Sequence, residues 1–218
     1  MRRRCWMLAF AATAAAAMAV EPKVGDIVEL EKPTTDGKAS VEKVLSTRRS
    51  CREWAETPPS LAELGQLAWA GQGVTEPKKG LRAAPSAAES YYLELYAVTP
   101  NAAYRYVPAK HAFAATAAGE ARAQLAAAAP RMKPLAVAPV VFVFTATFER
   151  GKPGWGDVNI RYATIEVGAV MENITLQAEA LGMGAVCVGT FKDEDVKKAV
   201  GAGEKEQPIL MLCVGRRK

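Results

Sequence analysis

The 218-residue chain has one histidine, His111, and four cysteines. A lone imidazole leaves no His/Cys cluster to hold zinc, and nothing pairs it with a serine nucleophile and an acid. A di-metal carboxylate site would use Glu-x-x-His, and that pattern is absent. Beyond the first nineteen residues, no apolar run approaches the roughly 20 residues that span a bilayer. A strong charge of one sign is missing too. The formal net charge is +5, but Arg2, Arg3 and Arg4 carry three of the 28 basic residues. Without that segment 25 bases face 23 acids, and a net +2 does not make a nucleic-acid surface. Half the residues are hydrophobic and 23% are charged, which fits one folded domain rather than bulk disorder. There is no internal repeat and no interdomain linker.

Residues 1–19 read as a signal peptide. A basic start is followed by an apolar middle and by Ala17-Met18-Ala19, so cleavage before Val20 is expected. The protein is then exported, to the periplasm, by a Sec or twin-arginine route; Arg3-Arg4 suggests the latter. Three cysteines remain, an odd number that does not make a disulfide framework. Cys187 and Cys213 are flanked by strand-formers and are expected to be buried, inert thiols. Cys51 sits among arginines, which favour a thiolate.

Residues 20–40 are rich in Pro, Gly, Thr and Lys and read as an extended arm, with the domain over 41–218. Ser40 can cap a short helix bearing Val41, Val44 and Leu45. Ser60 with Glu63 forms a capping box ahead of a Leu61, Leu64, Leu67, Ala68 stripe, and Trp69 is expected in the core. Tyr91–Val98 alternates as a strand, with Tyr104–Val107 as its hairpin partner. The Ala-rich stretch 111–128 reads as a helix with His111 at its start, on the surface or as a cap. APVVFVFTATF, 138–148, is apolar on both faces and hence a central strand. A long helix over 159–181 ends at Gly182. A short strand over 185–188, a helix over 194–200 capped by Asp193 and a last strand over 209–214 follow. Strands mixed irregularly with helices predict an α+β fold.

Four short runs could carry chemistry. In Ser46–Trp54, three guanidiniums and several hydroxyls gather at a helix end, where a phosphate would find charge-assisted donors. The small residues of Arg82–Ala88 would let a flat ligand approach the backbone. Gly189 follows a buried strand and can turn backbone N–H groups toward a ligand. Arg216-Arg217-Lys218 offers a second source of cations. Taken singly, each run has a bland alternative: a solvated basic turn, a loop, a helix-to-strand connection and a frayed tail.

Together RRSCREW, RAAPSAAESYYLELYAV, YRYVPAKHAF, RYATIEVGAVMENITLQAEALGMGAVCVGTF and VGRR occur in this order from about residue 41 to 217. They resemble the nitroreductase superfamily, and within it the SagB-type dehydrogenase branch. The resemblance implies an α+β fold with a central mixed or antiparallel sheet flanked by helices, and a homodimer with FMN at its interface. It assigns Arg48, Ser50 and Arg52 to the FMN phosphate or ribityl chain, and Arg49 to backbone contact with the ring. Pro85, Ser86 and Ala87 match the segment that reaches the flavin from the other subunit. Val188 and Gly189 match the segment facing the ring, and Arg216 and Arg217 the C-terminal phosphate cations.

The implied activity is ping-pong transfer through the flavin from NAD(P)H, or from a membrane or periplasmic carrier, to a small electron-poor acceptor. No protein nucleophile is then required. Azoline-oxidising members carry a Lys-Tyr pair where Gly154-Trp155 stands here, which argues against that reaction. Glu166, Glu172 and Glu179 read as polar-face or interface residues, with Glu166 offset from the other two. The alternative is an exported flavin-binding protein without turnover.

Overall fold

The computed structural model describes residues 22–218; the expected signal peptide lies outside them. The chain forms β1 (Ile27–Glu29), α1 (Val41–Thr47), α2 (Leu61–Gln72), β2 (Val74–Glu76), β3 (Leu81–Arg82), β4 (Leu93–Val98), β5 (Ala102–Val107) and β6 (Ala112–Ala118). It continues through α3 (Ala121–Ala128), α4 (Pro134–Val137), β7 (Val140–Ala146), α5 (Asp157–Ala180), β8 (Met183–Val188), α6 (Asp193–Val200) and β9 (Gln207–Arg216). Seven strands make one sheet in the order β1-β6-β5-β4-β7-β9-β8, with antiparallel pairing between all neighbours. The fold is α+β.

β7 lies between β4 and β9 with all seven residues buried, as its two apolar faces require. Phe142 and Phe144 face the layer of α2 and α5, packing with Leu64, Leu67, Val167, Val170 and Ile174. Val141 and Val143 face α3, α4 and α6, packing with Leu125, Leu135 and Val196. α2 starts as its sequence dictates: the Ser60 hydroxyl accepts from Glu63 N–H, and the Glu63 carboxylate accepts from Ser60 N–H at 2.8 Å. Ser40 caps α1 by accepting from Lys43 N–H.

Two expectations are corrected. Residues 112–118 are a strand, not the first turns of a helix; only 121–128 is helical. Alanine's helical preference is weak, and β5 and β1 supply ladder partners on both sides of β6, so tertiary pairing overrides it. His111 accordingly begins no helix. It occupies a left-handed turn (φ 45°) between β5 and β6. The Glu31 carbonyl can only accept, so Nε2 donates to it at 2.8 Å and Nδ1 accepts from the Tyr106 hydroxyl at 2.8 Å. The arm is tied to the domain at two places. β1 pairs with β6, and Thr34 exchanges two hydrogen bonds with the Gln66 amide on α2.

Candidate functional site

The run after α1 crosses the ends of β8 and β9. Ser50 makes a single parallel bridge to Ala185, and Cys51 N–H donates to the Ala185 carbonyl at 2.9 Å. Trp54 bridges Arg217, Ala55 N–H donates to the Arg216 carbonyl at 2.9 Å, and Trp54 Nε1 donates to the Gly184 carbonyl at 3.0 Å. A Cβ on Gly184 would stand 2.4 Å from Cys51 Cβ, so only glycine allows this approach. The run is therefore sewn to both strands, and it brings Arg48, Arg49, Ser50 and Arg52 beside Arg216 and Arg217.

The guanidiniums differ in their partners. Arg48 lies 4.0 Å from Glu172. Arg49 folds back on α1 and donates to the Ser46 and Arg48 carbonyls, closing the helix end. Arg52 is exposed and has no carboxylate partner among the described residues. Arg216 grips both oxygens of Glu63 at 2.7 and 2.8 Å, and Arg217 pairs with Glu179. Of the five arginines, Arg48, Arg216 and Arg217 thus each have a carboxylate partner. Val188 is buried and points into the layer of α3 and α6, while Gly189 just beyond it is exposed. No atom lies closer than 3.8 Å to a Cβ built on Gly189, so nothing in this chain crowds its backbone.

Pro85, Ser86 and Ala87 lie apart from that cluster, at the entrance to β4. Ala88, Glu89 and Tyr91 all have positive φ, at 51°, 56° and 45°. Each such non-glycine residue costs about 1–3 kcal/mol and persists only where its surroundings over-determine it. Glu166 on α5 supplies the restraint. Its carboxylate accepts from the Ser86 hydroxyl at 2.5 Å, from Tyr92 N–H at 3.4 Å and from Gln72 Nε2 at 3.5 Å. The Ser86 oxygen in turn accepts from Tyr91 N–H at 2.8 Å. Arg82 donates to Gln72 Oε1 at 2.5 Å, which fixes the amide so that its N–H₂ faces Glu166. Burial is the largest influence on Glu166 and raises its pKa, against the hydrogen bonds and the Arg82 charge, which lower it.

Glu166 was expected on a polar or interface face, and the structure places it inside, 2% exposed. The seven-residue spacing of Glu172 and Glu179 does put them on one side, and each holds a site arginine. α5 is thus a common post. At 1.5 Å per residue, Glu166 and Glu172 are about 9 Å apart along its axis and Glu166 and Glu179 about 20 Å. The two halves of the expected site hang from opposite parts of one helix. The thiols also need correction. Cys213 is buried, and burial pushes its thiol up to about 12. Cys187, however, is exposed, because β8 is an edge strand. Trp69 is half-buried rather than a core residue.

The sequence pattern of the Nitroreductase family matches residues 45–216. The chain belongs to the nitroreductase family. A Methanocaldococcus jannaschii protein assigned to the nitroreductases is 35% identical over 200 residues, covering 89% of this chain and 99% of that protein. A Ralstonia eutropha JMP134 structure assigned to the same group superimposes with a TM-score of 0.80 at 27% identity, over 90% of this chain and 94% of that one. The NADPH:FMN oxidoreductase of Vibrio harveyi, solved with NAD+, shares the fold with a TM-score of 0.61 at 18% identity, over 82% of this chain and 69% of that one. The nitroreductase chain described here is therefore an oxidoreductase by family.

Proposed function

We propose that this nitroreductase is an FMN-dependent oxidoreductase of the SagB-type branch, reducing a small electron-poor acceptor. The observation that carries the reading is the arginine cluster. Two stretches some 160 residues apart in sequence are stitched together by backbone bridges, which brings five arginines to the neighbouring ends of β8 and β9. Guanidiniums are the donors a phosphate monoester takes up best, and the exposed Ser50 and Arg52 add free donors. Bound FMN supplies the hydride or electron transfer, so the protein's part is to bind and orient. Arg48, Arg52, Arg216 and Arg217 hold the phosphate, with Ser50 between the first two. Arg49 keeps α1 closed and places its own backbone at the ring. Val188 anchors the end of β8 in the core, and the open backbone at Gly189 just beyond it would face the ring. Pro85, Ser86 and Ala87 serve the flavin of a second subunit, in keeping with their separation along α5. The electron donor is NAD(P)H, or a membrane or periplasmic carrier if the chain is exported.

Titration of FMN into flavin-free protein tests the phosphate assignment. A charge-assisted hydrogen bond contributes about 1.5–3 kcal/mol, so Arg48→Ala or Arg52→Ala should weaken FMN about ten- to a hundredfold. Riboflavin, which has no phosphate, should bind wild type weakly and be indifferent to either change. Equal FMN affinity in wild type and both variants would remove the assignment.

The resemblance also implies a homodimer, and the apolar residues Ile165, Val170, Met171 and Ile174 of α5 are the first candidates for its interface. Val170 and Ile174 pack inside the protomer and Met171 is half-buried. Ile165, 61% exposed, stays available, as do Val158 and Ile160 on α5 and Val41 and Leu45 on α1. Light scattering on flavin-loaded protein should give twice the mass of one chain, and Ile165→Glu with Leu45→Glu should halve it. A single-chain mass at micromolar concentration with FMN bound would refute the dimer.

A further inference from the structure

A cleft of about 450 Å³ opens where β4 begins and β5 ends, bordering the Pro85–Ala87 loop and reaching past it to Arg105, a residue the flavin reading does not use. Arg82, Arg105 and Arg150 line it against a single carboxylate, Glu94. Arg150 pairs with Glu94 and donates to the Tyr91 carbonyl at 3.0 Å, so it is held in place. Arg82 lies 4.3 Å above the Tyr91 ring and is tied through Gln72 to Glu166. Burial pulls the Arg82 pKa down, the mark of a charge short of solvent. Arg105 is exposed on β5 and has no carboxylate partner among the described residues.

One positive charge is therefore unanswered: Glu94 serves Arg150, Glu166 serves Arg82 at one remove, and nothing serves Arg105. Tyr91, Val107 and Pro108 add flat and apolar wall. The volume lies within the range of small-molecule sites. A guanidinium binds a planar carboxylate through two parallel hydrogen bonds, and two pre-positioned neighbours add field without losing freedom.

We propose that this cleft is a binding site for the carboxylate of a small planar organic acid, with Arg105 as its principal anchor. The assignment does not depend on flavin binding, so it can fail alone. Calorimetric titration of the intact protein with benzoate, benzamide and inorganic phosphate tests it. Benzoate should saturate the site, and benzamide, isosteric but neutral, should bind at least about tenfold more weakly. Arg105→Gln should weaken benzoate about ten- to a hundredfold while leaving the melting temperature and FMN affinity unchanged, since this side chain makes no hydrogen bond or ion pair among the described residues. Absence of saturation by benzoate, equal binding of benzamide, or an Arg105→Gln protein that binds benzoate as wild type does would each overturn the proposal. Phosphate that displaces benzoate with equal or greater affinity would overturn the carboxylate assignment in favour of a phosphate ester.

Discussion

Glu166→Ala lowers the free energy of unfolding by about 3–5 kcal/mol, the cost of removing one partner from a buried charged network. The reason lies in the direction of every bond around it. Ser86, Tyr92 and Gln72 all donate to this carboxylate, and the Gln72 amide is locked by Arg82. With alanine there, three donors lose their acceptor and Arg82 loses its nearest balancing charge. The turn at Ala88–Tyr91 keeps its internal Ser86–Tyr91 bond but loses the carboxylate that ties it to α5, so it loosens. Glu166→Gln should lose less, about 1–3 kcal/mol, because one oxygen still accepts while the new amide faces a donor. Urea unfolding of the three proteins checks this, with limited proteolysis at 86–91 as the local readout. A loss under about 1 kcal/mol in the alanine variant would mean that the loop is held by something else.

The same residue gives a pH dependence. Burial lifts the folded pKa of Glu166 above the ordinary glutamate value. The native state then binds the proton more tightly than the unfolded chain. That contribution is complete below the unfolded-chain value and is lost as the pH rises through the folded value. Wild type carries this decline; Glu166→Gln, which cannot titrate, lacks it.

Legibility in sequence follows how local each cause is. The Ser60–Glu63 box and the apolar β7 segment depend on a few adjacent residues, and the structure agrees with both. β6 was illegible because its strand character resides in β5 and β1, not in its alanines. The flanks of Cys187 announce a strand but not that β8 sits at the sheet's edge with this thiol outward. Helical spacing separates Glu166 from Glu172 and Glu179. It could not say which side is interior, and so the restraint on the Pro85–Ala87 loop was missed. The signal that could have pointed there is a glutamate among Ala163, Val167 and Val170, all of them buried. The motif arginines were legible, whereas their pairing with Glu63, Glu172 and Glu179 needs the fold.

Trp54→Ala should be nearly as damaging as loss of Glu166, at about 3–5 kcal/mol for a buried aromatic. Trp54 is 6% exposed and packs with the cluster under α3, α4 and α6. Its ring also stands 2.8 Å from where a Cβ on Gly215 would be, so it seats closely on β9. Its indole N–H satisfies the Gly184 carbonyl, and its backbone joins Arg217. One side chain therefore fastens the arginine run to β8 and β9 together. Trp54→Phe keeps most of the packing and loses the indole bond, so it should cost nearer 1 kcal/mol. The two variants separate stability from preorganisation. If the arginines act as one phosphate cradle, the alanine variant at low temperature, still folded, should bind FMN more weakly than wild type although every arginine remains. Its riboflavin affinity should change far less. FMN affinity unchanged in folded Trp54→Ala would show that the cations find the phosphate without being pinned, and that the run's attachment to the sheet serves the fold alone.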